Sequence, residues 1–102
     1  MNFTITTDTE VADGTSLRGY VKGTLEKLIQ KLGEPLRDHS GDGKVNCEWI
    51  LQFDEDTVAT IYDWKMEDIP SGEYLWHIGG KGHKVVEKVG FVLGLPTIHQ
   101  NI

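Results

Sequence analysis

The sequence has little of several residue types, and each shortage excludes a class of protein. It contains a single cysteine, Cys47, so no intramolecular disulfide can form and a reducing compartment is favoured. Its uninterrupted apolar runs are short, far below the roughly 20 residues that a membrane-spanning helix needs. The first ten residues lack a basic segment followed by a long apolar one, so we expect no secretory signal peptide.

Basic residues are scarce as well. The chain has 10 lysines and arginines against 16 aspartates and glutamates, and its formal net charge is -6. Because a domain that grips a phosphate backbone is usually basic, direct nucleic-acid binding is disfavoured. The acids are scattered, apart from a run at residues 54–56. Such a charge suits solubility, or an acidic surface that docks on a basic partner.

The sequence does contain what one globular domain needs. Its 102 residues are 38% hydrophobic and 25% charged, which is sufficient for one core and argues against general disorder. No repeat or linker divides the chain. We therefore predict a single domain over residues 1–102.

Two segments have the apolar spacing of amphipathic helices. Over residues 24–32 the apolar positions fall on one helical face: Leu25, Leu28, Ile29 and Leu32. Thr24 is placed to cap the first turn of this helix, and Gly33 to close the last. A second apolar face predicts a helix from about residue 83 to residue 93, closed by Gly94 and Pro96.

Five segments have the composition of strands: residues 3–7, 15–21, 45–53, 57–64 and 74–78. The alternation over residues 45–53 is the clearest, and its odd positions are expected to face the core. The strand at 15–21 is weaker because Gly19 interrupts it. We expect residues 36–44 and 66–72 to be loops and residues 97–102 to fray.

The predicted order is β-β-α-β-β-β-α. A mainly antiparallel sheet of four to five strands, with both helices packed on one face, would bury a single core. The sequence therefore predicts an α+β domain.

Five stretches resemble a family of small proteins encoded in bacteriophage genomes. They are residues 14–20 (GTSLRGY), 28–35 (LIQKLGEP), 44–49 (KVNCEW), 60–65 (TIYDWK) and 76–80 (WHIGG). They follow the family's order between residue 13 and about residue 92. The resemblance implies a phage accessory protein and brings no catalytic residues with it. Gly82 stands where the family has a capping serine, and the loop between Lys65 and Trp76 is shorter than in the family.

The first candidate site is the junction at residues 76–83. A predicted strand runs there into Gly79 and Gly80 and then into the second helix, with Lys81 at its entrance and His83 at its start. Free backbone N–H groups and the helix dipole attract anions, so this turn could hold the phosphate of a nucleotide. No Walker motif accompanies it, and a turn that needs glycine for backbone reasons explains the same residues.

The second candidate site is aromatic. Tyr62 and Trp64 share one face of their predicted strand, with Asp63 on the other, and Tyr74 and Trp76 likewise share a face. A set that faces solvent could stack a base or anchor a protein partner. Core packing is expected to explain most of these residues, so the exposure of Trp64 or Trp76 would decide the matter.

A third candidate is a calcium loop. Asp38, Ser40 and Asp42 have the spacing of its first ligands, but its twelfth position is Trp49 in place of glutamate. We therefore expect an ordinary turn here.

Signatures of an enzyme are sparse. The histidines lack metalloprotease spacing, and Cys47 lies mid-strand on the predicted core face. Asp63 and His77 could face each other across paired strands and share acid–base work, although a cross-strand polar pair explains them as well. We therefore expect a protein that is not an enzyme and that uses no cofactor or metal.

Together these patterns predict a phage protein that binds and inhibits a bacterial host protein, with a defence system as the favoured target, in the cytoplasm of the infected host. The alternative is a binder that sequesters a nucleotide or another phosphate-bearing signal through the glycine-rich turn. Contact with a membrane or with nucleic acid is not expected, and a homodimer stays open. The predicted binding residues are Tyr62, Asp63, Trp64, Lys65, Trp76, His77, Gly79, Gly80, Lys81 and His83.

Overall fold

The computed structural model describes residues 2–37 and 44–100, which form seven strands and two α-helices. The strands are β1 (Thr4–Thr6), β2 (Ser16–Gly23), β3 (Leu36–Arg37), β4 (Cys47–Gln52), β5 (Val58–Tyr62), β6 (Tyr74–Lys81) and β7 (Thr97–His99). The α-helices are α1 (Leu25–Leu32) and α2 (Val85–Leu93), and a 3₁₀ helix (Thr9–Ala12) follows β1. Neither α-helix is long and apolar enough to cross a lipid bilayer.

The strands form one antiparallel sheet in the order β1-β4-β5-β6-β2-β7, and β3 pairs with β4 beside β1. The predicted α+β class and the hairpin of β4 and β5 are confirmed. The sheet has more strands than the four to five predicted. The additions are β3, within a segment predicted to be a loop, and β7, within a segment predicted to fray.

The pairing of β7 with β2 holds residues 97–99 in the sheet, so the prediction that this segment frays is wrong for them. Beyond the strand itself, the N–H of Lys22 donates to the carbonyl of Pro96 (3.0 Å), and that of Gln100 donates to Arg18 (2.9 Å). Backbone groups along the outer edge of β2 find partners in this way. Strand β7 therefore joins the sheet despite its weak strand composition, because backbone groups at the edge of β2 need hydrogen-bond partners.

Strand β2 is paired along its whole length, although Gly19 predicted a weak strand. β2 pairs with β6 from Ser16 to Gly23, and the register shifts between Leu17 and Gly19. A Cβ atom at Gly19 would collide with the carbonyl oxygen of Ile98 in β7. Gly19 therefore permits a bulge and the close approach of a neighbouring strand, and it does not end the strand.

Both helices pack on one face of the sheet, as predicted. Thr24 caps α1 by accepting a hydrogen bond from the N–H of Lys27 (3.2 Å). The core that they cover contains residues from four strands and both α-helices: Val21, Leu28, Leu32, Cys47, Trp49, Leu51, Ala59, Ile61, Trp76, Ile78, Val85, Val86, Val89 and Leu93. The odd positions of β4 face this core, which confirms the alternation. Burial raises the pKa of the Cys47 thiol, although Arg37 opposes the shift, so the thiol is a poor nucleophile.

Two tryptophans lie at the centre of this core. The ring centroids of Trp49 and Trp76 are 5.5 Å apart and meet edge to face at 75°. The indole N–H of Trp49 donates to the carbonyl of Gly33 (2.8 Å), and that of Trp76 donates to Gly23 (3.1 Å). Both polar groups are thus satisfied at opposite ends of α1, which ties this helix to the sheet.

The predicted glycine-rich turn is part of β6. Gly79 and Gly80 pair with neighbouring strands on both sides, so the strand does not end at them. A Cβ atom at Gly79 would lie 2.5 Å from Oγ1 of Thr60, and one at Gly80 would lie 2.5 Å from Cγ2 of Val85. Close packing of side chains against both faces of the strand, and not a turn, requires glycine here.

The other face of the sheet, opposite the α-helices, is called the open face. Its β4 end is covered, because the 3₁₀ helix contacts β4 and β5 and because Ile50 and Val58 are buried there. Nζ of Lys81 donates to the carbonyl oxygen of Asp13 (2.8 Å) and fastens the segment that follows the 3₁₀ helix. The remainder of the open face carries the candidate site.

Candidate binding site on the open face

One row of side chains crosses the open face. Residues that pair directly in neighbouring antiparallel strands point to the same face, with their Cβ atoms close together. The registers of four strand pairs therefore align one residue from each of five strands: Ile98, Tyr20, His77, Tyr62 and Glu48, in order from β7 to β4. Three of the five are consecutive rings at the middle of the sheet.

His77 is the centre of this row. Its imidazole stacks on Tyr62, with centroids 5.4 Å apart and planes at 28°. Tyr20 meets it edge-on from the other side at 5.1 Å and 69°. Tyr74 approaches at 6.5 Å. Three tyrosine rings thus hold the imidazole in one place.

The imidazole of His77 has unused hydrogen-bonding capacity. Its Nδ1 is buried, and within the described chain it has no hydrogen-bond partner. Burial lowers the pKa of His77, and the negative charge of Asp63 opposes this shift. The uncharged form is therefore the one that this environment favours.

Trp64 lies just beyond β5 and is exposed. Its side chain is 41% accessible, and its ring meets Tyr62 edge to face at 6.3 Å. Its backbone N–H donates to the hydroxyl of Tyr74 (3.2 Å). The expectation that core packing explains most of the aromatic residues therefore fails for Trp64. Its indole is an accessible apolar surface at the end of the row.

Two lysines flank this indole. Nζ of Lys44 and Nζ of Lys65 each lie 5.8 Å from the ring centroid of Trp64, within the range of cation–π attraction. Lys65 has a left-handed backbone with φ of 56°, which is uncommon for a residue other than glycine. Its N–H donates to the carbonyl of Lys44 (2.7 Å), and this bond holds the strained residue in position. Strain of this kind concentrates at functional sites.

A shallow cleft opens between these groups. It has a volume of about 270 Å³ and is lined by Leu17, Tyr62, Trp64 and His77. Two further apolar side chains on the open face are exposed: Leu75 by 43% and Ile98 by 51%. The cleft is thus the deepest part of a wider apolar surface, which single exposed residues would not form.

Asp63 is placed differently from the prediction. It is fully buried, and its carboxylate accepts hydrogen bonds from the N–H of Asn46 (2.9 Å), from Nδ2 of Asn46 (2.8 Å) and from the N–H of Cys47 (2.9 Å). Tyr62, and not Asp63, pairs with His77, so the predicted acid–base pair is wrong. A buried carboxylate with three donors is a structural clamp, which here joins the start of β4 to the end of β5.

Trp76 is also unsuited to direct contact. Its side chain is 0% accessible and belongs to the core. It alternates with His77 along β6, and the two therefore point to opposite faces. Of the predicted binding residues, the open face brings together Tyr62, Trp64, Lys65 and His77.

The remaining predicted residues do not form an anion-binding turn. Lys81 is bound to Asp13, and His83 is exposed, with its carbonyl accepting a hydrogen bond from Nζ of Lys88 (2.8 Å). Helix α2 begins at Val85, two residues later than predicted, and Lys84 precedes it with a left-handed φ of 56° and no side-chain cap. Gly79 and Gly80 lie within β6, so they do not form one anion-binding turn with the start of α2.

The first candidate calcium ligands, Asp38, Ser40 and Asp42, lie outside the described residues. Within residues 2–37 and 44–100, no group of three or more histidine, cysteine or carboxylate side chains could hold a metal ion.

The sequence analysis missed part of the site. Leu17 and Tyr20 belong to it, but strict alternation places residues three apart on opposite faces, and the bulge at Gly19 is what brings these two to the same face. Ile98 belongs to a strand that was expected to fray. Lys44 is far from Trp64 in sequence, and the pairing of β4 with β5, together with the hydrogen bond to Lys65, brings it near. The one available signal was the aromatic composition of residues 60–65.

Comparisons with known proteins add no relative. No family model matches the chain, and no curated protein and no solved structure is significantly similar to it.

Proposed function

We propose that this protein is a phage-encoded binding protein that docks its open face on a bacterial host protein and inhibits it. The observation that carries the proposal is the position of Trp64. Its indole is 41% exposed, and it borders an apolar cleft on a sheet face that no described α-helix covers.

Exposed aromatic residues of this kind are effective anchors. Tryptophan and tyrosine are enriched among the few residues that carry most of the free energy of protein association. They bury a large area and lose little conformational entropy when they do so. Contacts with Tyr62 and with the tyrosines around His77 hold the rings in place before a partner arrives. A preorganised surface avoids part of the ordering cost of binding.

Binding, and not catalysis, is the role that these side chains support. The carboxylate of Asp63 is committed to Asn46 and Cys47. No hydrogen bond joins the ring of His77 to an acidic side chain within the described chain. General acid–base chemistry needs a positioned partner for the imidazole. His77 is proposed to shape the cleft.

The phage origin and the host target rest on the sequence. The stretches that resemble the phage family include residues 60–65 and 76–80, which supply Tyr62, Trp64, Lys65 and His77. The small size, the acidic charge and the lack of a catalytic motif favour a protein that acts by binding, and a defence system is the proposed target.

A capture experiment tests the proposal. Tagged wild-type protein and two variants, Trp64→Ala and Phe91→Ala, are incubated with host lysate, cross-linked and purified. Phe91 is the control because its side chain is 70% exposed on α2, away from the open face. We expect wild type and Phe91→Ala to retain the same host protein and Trp64→Ala to lose it.

Infection supplies the functional readout. Expression of wild type or Phe91→Ala should restore plating of a phage that the host otherwise restricts, and Trp64→Ala should not. Retention of no host protein, or equal retention by all three forms, would remove the proposal.

A further inference from the structure

We infer that the partner is an acidic segment that inserts one aromatic side chain into the cleft beside Trp64 and places a carboxylate against Lys65. This inference rests on the proposed function and names the chemistry of the partner. It combines the size of the cleft, the nature of its lining and the charges at its rim.

The size of the cleft indicates a single side chain. Its volume is about 270 Å³. Sites for drug-sized ligands enclose about 300–1,000 Å³ and surround most of the ligand. This cleft is smaller than that range and is open on the sheet surface, so a whole nucleotide would remain largely exposed in it. One large side chain from a protein would fill it.

The lining favours an aromatic side chain. Leu17 contributes an aliphatic surface, while Tyr62 and Trp64 contribute rings that meet at 78°. Offset and edge-to-face contacts with such rings are attractive beyond the area they bury. The imidazole of His77 completes the wall, and its buried Nδ1 is not presented to the cleft. A large aromatic side chain therefore matches these walls.

Lys65 gives the rim of the cleft a positive charge. The ammonium groups of Lys44 and Lys65 lie 5.8 Å from the ring centroid of Trp64. Within the described chain Lys65 forms no ion pair, and its backbone is fixed by the hydrogen bond to Lys44. A carboxylate next to the inserted ring would find a positive charge already in place.

The net charge of -6 does not cancel this local attraction. At physiological ionic strength, exposed charges separated by more than about 8 Å are largely screened. The ammonium group of Lys65 acts within that distance of an inserted side chain, while most of the acids are scattered over the chain. Glu48 is the acid in the cross-strand row, and it pairs with Tyr62 in β4. We therefore place the partner's carboxylate on the Lys65 side of Trp64.

Single-stranded nucleic acid fits the open face less well. A stacking platform must offer the faces of its rings to the bases. Here the face of His77 is stacked on Tyr62, and the edge of Tyr20 closes the other side. Among the described rings of the open face, Trp64 is exposed while Tyr20 and Tyr62 are partly buried, and the chain is acidic overall.

A random library of 12-residue peptides, displayed on yeast, tests this inference without knowledge of the host protein. The library is selected with wild-type protein and counter-selected with Trp64→Ala. We expect enriched peptides to share an aromatic residue with aspartate or glutamate within three positions of it. Enrichment of peptides with flanking lysine or arginine would overturn the inference, as would the absence of peptides that depend on Trp64.

The strongest enriched peptide is then synthesised with a fluorophore, and its dissociation constant is measured by anisotropy. We expect Lys65→Glu to weaken binding at least tenfold. Lys65→Asn, which suits a left-handed backbone and removes the charge, should weaken it several-fold. Lys27→Glu on α1, an exposed lysine away from the open face, should change it less than twofold. Equal affinity in wild type and both Lys65 variants would contradict the inference. Tighter binding of a (dT)12 oligonucleotide than of the peptide would also contradict it.

The two levels fail separately. Acidic aromatic peptides that bind at Trp64, together with capture of no host protein, would leave the inference standing and remove the proposed function. A captured host protein that Lys65→Glu retains as well as wild type does, but that Trp64→Ala loses, would support the proposed function and overturn the inference.

Discussion

The imidazole of His77 stacks on the phenol ring of Tyr62, with centroids 5.4 Å apart and planes inclined by 28°. The two residues face each other across β5 and β6, so this contact lies at the middle of the open face. It both shapes the cleft and sets the protonation behaviour of the histidine.

Stability should fall as the solution is acidified below the ordinary pKa of histidine. Burial lowers the pKa of His77 in the folded protein, so between the folded and unfolded pKa values the unfolded chain binds more protons. The contribution is fully present above the ordinary histidine pKa of 6.5 and is lost as pH falls through the lower pKa of the folded protein. Urea unfolding at pH 7.5 and pH 5.5 should show this loss in wild type and a smaller loss in His77→Phe. His83→Gln, at an exposed site, should match wild type. An equal loss of unfolding free energy in His77→Phe and wild type would mean that His77 is not the source of the pH dependence.

Trp64 and Trp76 should respond oppositely to truncation. Trp64→Ala removes a side chain that is 41% exposed, and we expect it to cost no more than about 1 kcal/mol of unfolding free energy. Trp76→Ala removes a fully buried indole and its hydrogen bond to Gly23, and we expect a loss of about 3–5 kcal/mol. Chemical denaturation of both variants measures the difference. Similar losses would mean that Trp64 belongs to the core.

Asp63→Asn should destabilise the protein without touching the cleft directly. The carboxylate accepts three hydrogen bonds, and the amide of asparagine would turn a donor toward one of the present donors. We expect a loss of about 2–3 kcal/mol, measured by urea unfolding, because a buried donor would be left unsatisfied. Asp68→Asn, at an exposed position, serves as the control. A near-neutral Asp63→Asn would show that the clamp is dispensable.

Gly79→Ala should destabilise the protein through crowding. The new Cβ would lie 2.5 Å from Oγ1 of Thr60, and overpacking of this kind typically costs about 1–3 kcal/mol. Thr60→Ala removes the crowding atom, so the double variant should lose less than the sum of the two single losses. A double-mutant cycle measures this coupling. Strict additivity would mean that another contact requires glycine at position 79.

Nucleotides at millimolar concentration should leave the melting temperature unchanged. The turn that would hold a phosphate is replaced by the continuous strand β6. A ligand present at 100 times its dissociation constant would add about 2.7 kcal/mol to the unfolding free energy, which a thermal-shift measurement detects readily. Stabilisation by any nucleotide would revive the alternative of a phosphate-bearing ligand. The cavity of about 210 Å³ beside Arg18 and Lys84 at the start of α2 would then be the place to examine.

Local patterns predicted those parts of the molecule whose cause is local. The cap at Thr24 and the apolar spacing of α1 predicted that helix, and the alternation of β4 predicted which of its side chains face the core. Composition and element order predicted an α+β domain with a mainly antiparallel sheet. Within the site, the aromatic residues Tyr62 and Trp64 were identified, but the burial of Trp76 was not.

The sequence by itself determined the helices, the core face of β4 and the acidic net charge, because each depends on spacing or composition along the chain. Tertiary structure alone decided that Gly79 and Gly80 lie within a strand, because the reason is the distance to Thr60 and Val85. It also decided that His77 pairs with Tyr62 and that Asp63 binds Asn46, because strand register sets which side chains meet. Tertiary structure also decided the exposure of Trp64 and its contact with two lysines. Both depend on where β5 ends and on which part of the open face other residues already cover.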